Sequence, residues 1–250
     1  MTRFVTAALV IIGNEILSGR TQDKNLAHLA MKLNAAGIQL REVRVVPDIE
    51  AEIVAAVNAV RARYDYVFTT GGIGPTHDDI TVDAVAEALG VGVVIHPDAR
   101  AILERYYATR GGLTEARLRM ARVPDGAELI PNRMSGAPGI RIGDVFLMAG
   151  VPSITAGMLD ALTGTLEGGL PVLSETTGAW VQESEIAELL RETEHGHEGC
   201  AIGSYPFFRE GRVGANFVVR STDPAVIEAA TEALVTGLRA MGREAVPGGI

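Results

Sequence analysis

The chain has 250 residues, 47% of them apolar, with a formal charge of −9 at neutral pH and an isoelectric point near 5.1. That length holds one large domain, or a domain of about 170 residues with a smaller companion, and the acidic balance argues against nucleic acid or an anionic membrane as the main partner. A single cysteine, Cys200, excludes an intrachain disulfide, and no Cys/His cluster has zinc spacing, so a cytoplasmic protein is expected.

The first apolar run, about 5–12, reads as a buried strand; it is too short to span a bilayer, and Gly13-Asn14-Glu15 follows where a signal peptide would carry small residues. Residues 13–19 read as a loop. A helix near 24–36 carries Leu26, Leu29, Ala30 and Leu33 on one face and ends at Gly37. A strand near 40–46 leads to a helix over 49–62, which buries Ile53, Val54, Val57 and Val60 and for which Asp48 is a cap. Residues 65–70 make a third strand, and Ile80, Val85 and Leu89 fit one face of a helix over 80–89. Strands near 92–95 and 144–149, helices near 98–108 and 114–122, and a helix running to Leu162 complete the series. This alternation predicts an α/β fold, a parallel sheet covered by helices on both faces, with ligands bound beyond the carboxyl ends of the strands.

The character changes near 168–171. A strand over 178–183, a helix over 184–193, strands over 200–206 and 213–220 and a helix over 223–241 suggest a small α+β unit spanning 171–246. It holds 12 acidic and 6 basic residues, so it lacks the overall positive charge that phosphate backbones require and reads as a packing or oligomerisation module. Trp180, Phe207 and Phe208 are assigned to its core, and residues 247–250 are expected to fray.

The loop between the third strand and its helix reads Thr-Thr-Gly-Gly-Ile-Gly-Pro-Thr-His-Asp-Asp-Ile-Thr at 69–81. Gly71, Gly72 and Gly74 admit dihedrals closed to other residues, and the helix start that follows favours an anion such as phosphate. Asp78 and Asp79 would repel a bare phosphate, a conflict that a bridging divalent cation with oxygen ligands resolves. Thr76 and Asp79 equally have the spacing of a capping box. Glu15 and Asp23 fall at the same edge of the sheet and are candidates to join that cation, while Asp23 and Asn25 also suit helix capping. Gly150-Val151-Pro152-Ser153 forms a second glycine turn, where Ser153 either caps the next helix or offers its hydroxyl to a phosphate or a pterin amide. Arg133, in the Gly/Pro loop at 132–139, is a candidate phosphate partner. His77, His195 and His197 read as solvent-facing loop residues, and no Ser/His/Asp or Cys/His arrangement suggests nucleophilic catalysis.

Together the 69–81 signature, Gly13-Asn14-Glu15-Ile16-Leu17, Asp23-x-Asn25, Ala137-Pro138-Gly139 and Gly150-Val151-Pro152-Ser153 resemble the MoaB/Mog molybdopterin-binding domain. The similarity is to its CinA-like (competence/damage-inducible protein A) branch and covers about 4–167. It implies a three-layer α/β/α, mostly parallel fold over 1–168 and a KH-like topology for the small domain. Related domains adenylylate molybdopterin, insert molybdenum, or hydrolyse ADP-ribose or FAD with a divalent metal. The resemblance therefore implies a phosphorylated pterin such as molybdopterin, or an adenine dinucleotide, with Mg, Mn, Co or Ni. Thr70, Gly71, Gly72, Gly74, Thr76, Asn25, Gly150 and Ser153 would hold the ligand and Asp78 and Asp79 the metal, with Asp79, Asp78, Asp23 and Glu15 as catalytic candidates. Two departures stand out. The chain ends where CinA proteins continue into a nicotinamide-mononucleotide amidohydrolase domain, so that activity is expected to be absent; and the family's Pro-Gly-x-Pro-x-Glu turn reads Ala149-Gly150-Val151-Pro152-Ser153-Ile154, without the glutamate. Three readings remain open: a pterin- or nucleotide-binding protein, a metal-dependent pyrophosphatase, and a non-catalytic homo-oligomer, dimer or trimer, assembled through the small domain.

Overall fold

The computed structural model describes residues 4–250, which divide into one unit ending at Gly169 and a second beginning at Leu170. In chain order the first unit contains β1 (Val5–Ile12), α1 (Asn14–Leu17), α2 (Asn25–Ala35), β2 (Ile38–Val46), α3 (Glu50–Arg61), β3 (Tyr66–Thr70), α4 (Thr81–Leu89), β4 (Val93–Ile95) and α5 (Pro97–Tyr107). It continues with α6 (Glu115–Leu118), β5 (Arg122–Pro124), β6 (Glu128–Ile130), β7 (Gly139–Ile142), β8 (Val145–Met148) and α7 (Pro152–Leu162).

The central sheet has the order β2-β1-β3-β8-β7-β6. Its first four strands are parallel and the last two antiparallel. Successive side chains of a strand point to opposite faces, and β1 is apolar on both. Ala8, Val10 and Ile12 pack with Ile53, Val57 and Val85 of α3 and α4, while Ala7, Leu9 and Ile11 pack with Leu29, Leu33 and Leu159 of α2 and α7. Three layers result. Phe68 and Phe146, both fully buried, stack at 4.8 Å across β3 and β8; burying side chains of this size stabilises by about 1.5–3 kcal/mol each. From β1 the chain crosses to β2 on one side and later to β3 on the other, so the carboxyl ends of β1 and β3 flank the switch point where such sheets bind ligands.

Several sequence expectations need correction. Residues 13–19 are not wholly loop, since α1 makes one helical turn there. The strand near 92–95 exists as β4 but leaves the sheet to pair antiparallel with β5, an element the sequence had merged into a helix over 114–122. That helix is broken into α6, capped by Thr114, and a 3-10 turn at Arg119–Ala121. The hairpin of β6 and β7 was not anticipated either.

The second unit contains β9 (Leu173–Ala179), α8 (Glu183–Gly196), β10 (Ala201–Arg209), β11 (Arg212–Ser221), α9 (Pro224–Ala240) and β12 (Val246–Pro247), with an antiparallel sheet ordered β10-β11-β9-β12. Glu210 and Gly211, at φ 53° and 73°, form the two-residue turn between β10 and β11. Ala215, Phe217 and Val219 pack under Ile186, Leu234 and Leu238 of α8 and α9. The first strand runs to 179 rather than to 183. Trp180 and Phe207 are only half-buried and Phe208 is 71% exposed, so none of the three belongs to the core. The last residues are tied down: β12 pairs with β9, and Ile250 N donates to Asn216 Oδ1 at 2.8 Å. Among the described residues no helix is long and apolar enough to cross a membrane.

Candidate functional site

Three strand-to-helix turns meet at the carboxyl edge of the sheet. At the end of β1, Gly13 N donates to Val46 O at 3.2 Å and Asn14 N to Asp48 Oδ2 at 2.8 Å. Asp48 therefore anchors α1 and does not cap α3, which starts after Ile49 without a side-chain cap. Glu15, in the single turn of α1, is exposed.

At the end of β3 the glycines are required by geometry. Gly71 has φ +100°, and a Cβ there would lie 2.2 Å from Ile12 O; Gly72 has φ +69°, and a Cβ there would lie 2.1 Å from Thr81 Oγ1. Both constraints draw the ends of β1, β3 and α4 together. Gly74 is different: its φ is not left-handed, and its lack of a side chain leaves room for Asp79, whose Oδ2 a Cβ would meet at 2.6 Å. Thr81, fully buried, donates through Oγ1 to Gly71 O at 2.8 Å and through N to Gly72 O at 3.0 Å. The first N–H of α4 is thus used internally, and Asp83 in its first turn pairs with Arg122 at 2.9 Å. The start of α4 is consequently not the anion site expected from the strand-loop-helix pattern.

The Thr76 and Asp79 spacing does close a turn. Thr76 N donates to Asp79 Oδ2 at 2.7 Å, and the Thr76 hydroxyl donates to the same oxygen. The helix begins only at Thr81, however, so residues 76–79 project ahead of it as a rigid loop. Asp78 is exposed on that loop. The Thr76 side chain, then Asp78's own N–H, then the charge of His77 hold its carboxyl below the ordinary carboxylate range.

At the end of β8, Asn25 Nδ2 donates to Gly150 O at 2.9 Å. Asn25 is buried and ties α2 to this turn, while the capping role falls to Asp23, whose Oδ1 accepts from Leu26 N at 2.8 Å. Thr155 Oγ1 donates to Ala149 O and Val151 O, shaping the turn from inside. Ser153 is exposed and caps nothing. The N-cap position of α7 is Val151, with Pro152 in the first turn and no acidic residue there.

A cleft of about 400 Å³ lies between the three turns. Glu15, Gly71, Gly72, Thr76, Asp78, Asp79 and Gly150 line it, with Asp48, Thr21 and Pro152. Asp23, Asn25, Thr70, Gly74 and Ser153 do not line it. Of these, Thr70 is buried behind it with its Oγ1 unpartnered, and Gly74 and Asn25 act through Asp79 and Gly150. Arg133 is exposed elsewhere. Sequence reasoning missed Asp48, although an acid two residues beyond β2 was bound to fall at this edge. A larger groove, about 870 Å³, lies at the opposite edge beside Arg61, Tyr64 and Asp144 and contains none of the candidate residues. Among the described residues no three His, Cys, Asp or Glu side chains gather into a preformed metal cage. The acids at the cleft suit a hard cation that keeps other oxygen ligands, as Mg²⁺ does when one or two carboxylates and substrate phosphates share it.

Residues 8–168 match the family model described as "Probable molybdopterin binding domain", and residues 171–244 match "FAD synthase, middle domain". A protein of Aeropyrum pernix is 38% identical over 210 residues, 80% of this chain and 78% of its own length. A CinA-like protein of Citrifermentans bemidjiense is 40% identical over 194 residues, 73% of this chain and 46% of its own, so the chain matches about half of that relative. Among solved structures, "the protein CinA with unknown function" from Thermoplasma acidophilum is 35% identical with a TM-score of 0.60, covering 64% of this chain and 96% of its own.

Proposed function

Since the chain belongs to the family of probable molybdopterin binding domains and has CinA-like relatives, we propose that its cleft binds a phosphorylated pterin such as molybdopterin, or an adenine nucleotide bearing a diphosphate. The observation that carries this reading is the polarity of the cleft. Glu15, Asp48, Asp78 and Asp79 line it together with the acid-free first turn of α7. A helix start favours an anion, and carboxylates favour the cation or amine that accompanies it. Calorimetry against molybdopterin, ADP-ribose and FAD should give micromolar binding that Asp78→Ala weakens. No heat with any phosphorylated pterin or adenine diphosphate would refute it.

The paired exposed acids of the 76–79 turn favour a second reading of the same cleft, divalent-metal-dependent hydrolysis of a dinucleotide diphosphate. The chemistry a cation such as Mg, Mn, Co or Ni supplies when held by Asp78 and Asp79 is neutralisation of the diphosphate and a water of lowered pKa. Glu15 is then the better candidate base than Asp23, because Asp23 is engaged with Leu26 N and lies outside the cleft lining. Water adds to phosphorus, the P–O–P bond breaks, and ADP-ribose yields AMP and ribose 5-phosphate. AMP release with any of the four metals, abolished by Asp79→Asn, supports this; an intact dinucleotide under all four leaves binding alone.

A further inference from the structure

The sheet of the small unit has one face under α8 and α9 and one face open. Register fixes which residues lie where: Ala179, Ala215, Phe217 and Val219 point to the helices, so the alternate residues of β9, β10 and β11 point away. Those outward positions include Tyr205, Phe207, Arg209, Arg212 and Arg220 and no aspartate or glutamate. Trp180 follows directly on β9. The Phe207 ring lies over Gly214, where a Cβ would come within 2.5 Å of it, and meets Trp180 edge-on at 5.4 Å.

Each ring carries a guanidinium. Arg209 stands 5.1 Å from Phe207, Arg212 4.4 Å from Trp180 and Arg220 5.7 Å from Tyr205, measured to the ring centres. Among the described residues none of these three arginines has a carboxylate partner, whereas Arg191 and Arg243 pair with Glu188 and Glu185. Arg209 and Arg212 are directly opposed in register. Like charges so placed destabilise a sheet, and no acid within the face offsets them.

We propose that this open face binds single-stranded nucleic acid, with bases stacking on Tyr205, Phe207 and Trp180 and phosphates meeting Arg209, Arg212 and Arg220. The unit's acidic total does not oppose this, because the charges are segregated. Five glutamates lie on α8, behind the sheet. A helix layer is about 10 Å thick, and beyond about 8 Å exposed charges are largely screened at physiological ionic strength. Strand pairing with a second copy at the free edge of β10 is disfavoured by Pro206, which has no N–H, and by Glu194, whose Oε2 takes Ile202 N at 2.8 Å.

The test uses the full chain and labelled oligouridylate and oligoadenylate of about 12 nucleotides, within the span of single-strand sites. Trp180 is the sole tryptophan, so quenching of its fluorescence reports stacking beside the anisotropy of the label. Three phosphate contacts give a salt slope of about −2, so affinity should fall about 20-fold between about 50 and 200 mM salt. The triple variant R209E/R212E/R220E should abolish binding. Tyr205→Leu with Phe207→Leu should weaken it about tenfold or more, with an unchanged thermal midpoint because neither side chain faces the helices. Asp78→Ala should leave it intact, which separates this face from the cleft. The proposal is overturned by any of four results: no binding up to about 100 μM, the weak end of non-specific affinity; inorganic polyphosphate binding as well as the oligonucleotides; loss of binding in Asp78→Ala; or a concentration-dependent dimer or an acidic peptide complex that the triple variant dissolves while oligonucleotides stay unbound.

Discussion

Replacing Gly72 by alanine tests whether the signature loop is held by tertiary closure and not only by its own turns. At φ +69° an L-residue costs about 1–2 kcal/mol. The added Cβ would also lie 2.1 Å from Thr81 Oγ1, a fully buried hydroxyl that bonds Gly71 O at 2.8 Å. Turning Thr81 away to relieve the clash breaks that bond and strands two buried polar groups, about 1–3 kcal/mol. The sum is about 2–5 kcal/mol. Thr81→Ala alone also loses the bond, but it removes the obstructing oxygen, so Gly72→Ala in that background should cost only the backbone part, about 1–2 kcal/mol. Native-state hydrogen exchange, read on peptides covering 66–90 with 213–221 as the reference, measures all four corners of the cycle. Additivity within about 0.5 kcal/mol would refute the reasoning.

Asn25→Asp should be more destabilising at neutral pH than Asn25→Ala, because an acceptor-only carboxylate would face the Gly150 carbonyl now bonded at 2.9 Å; the gap in thermal midpoint should close near pH 4, where the carboxyl regains a proton to donate. Glu42 accepts from Arg44 Nε, Arg63 Nη1 and Tyr64 OH, each at 2.7 Å. The Tyr64 bond first, then Arg44, holds its folded pKa below 4.5. A depressed pKa stabilises the fold above the unfolded value and loses that contribution as pH falls through the folded one. The urea midpoint of Glu42→Gln should therefore trail the parent's by a constant margin above pH 4.5 and converge with it below. Ile154→Glu restores an acid to the first turn of α7 and, on the proposed reading, should weaken binding of a diphosphate by about two- to fivefold, the worth of one charge at a helix end; unchanged affinity by calorimetry would move the anion elsewhere.

What the sequence made legible was local. Positive φ at Gly71 and Gly72 and the Thr76 to Asp79 turn involve residues at most three apart in the signature loop, and their types alone announce them. Asn25 was ambiguous because its partner, Gly150, lies 125 residues away; a buried amide reads as a cap until its acceptor is known. The same holds for α4, whose first N–H is claimed by Gly72 O through folding of the loop itself. Strands β5, β6 and β7 span only three or four residues and sit among glycines and prolines, which leaves no period to detect. In the small unit, assigning Trp180 and Phe207 to the core followed hydrophobicity and ignored parity. Tyr205, Phe207 and Arg209 alternate on one side of β10, and a core-facing row would not end in arginine.

The missing glutamate at position 154 and the acids at Asp78, Asp79, Asp48 and Glu15 bear on one another. An acid in the first turn of α7 would offset the positive end of that helix, and the cleft would then carry negative charge on every side. With isoleucine there, half-buried against the core that holds Met158 and Leu159, the helix end keeps its partial positive charge. Both signs then line one cleft of about 400 Å³. On the proposed reading this polarity selects ligands that carry an anion and a counter-charge together. A diphosphate with its cation, or a phosphorylated pterin with its ring amine, fits that requirement in one orientation, whereas free phosphate meets the carboxylates unscreened.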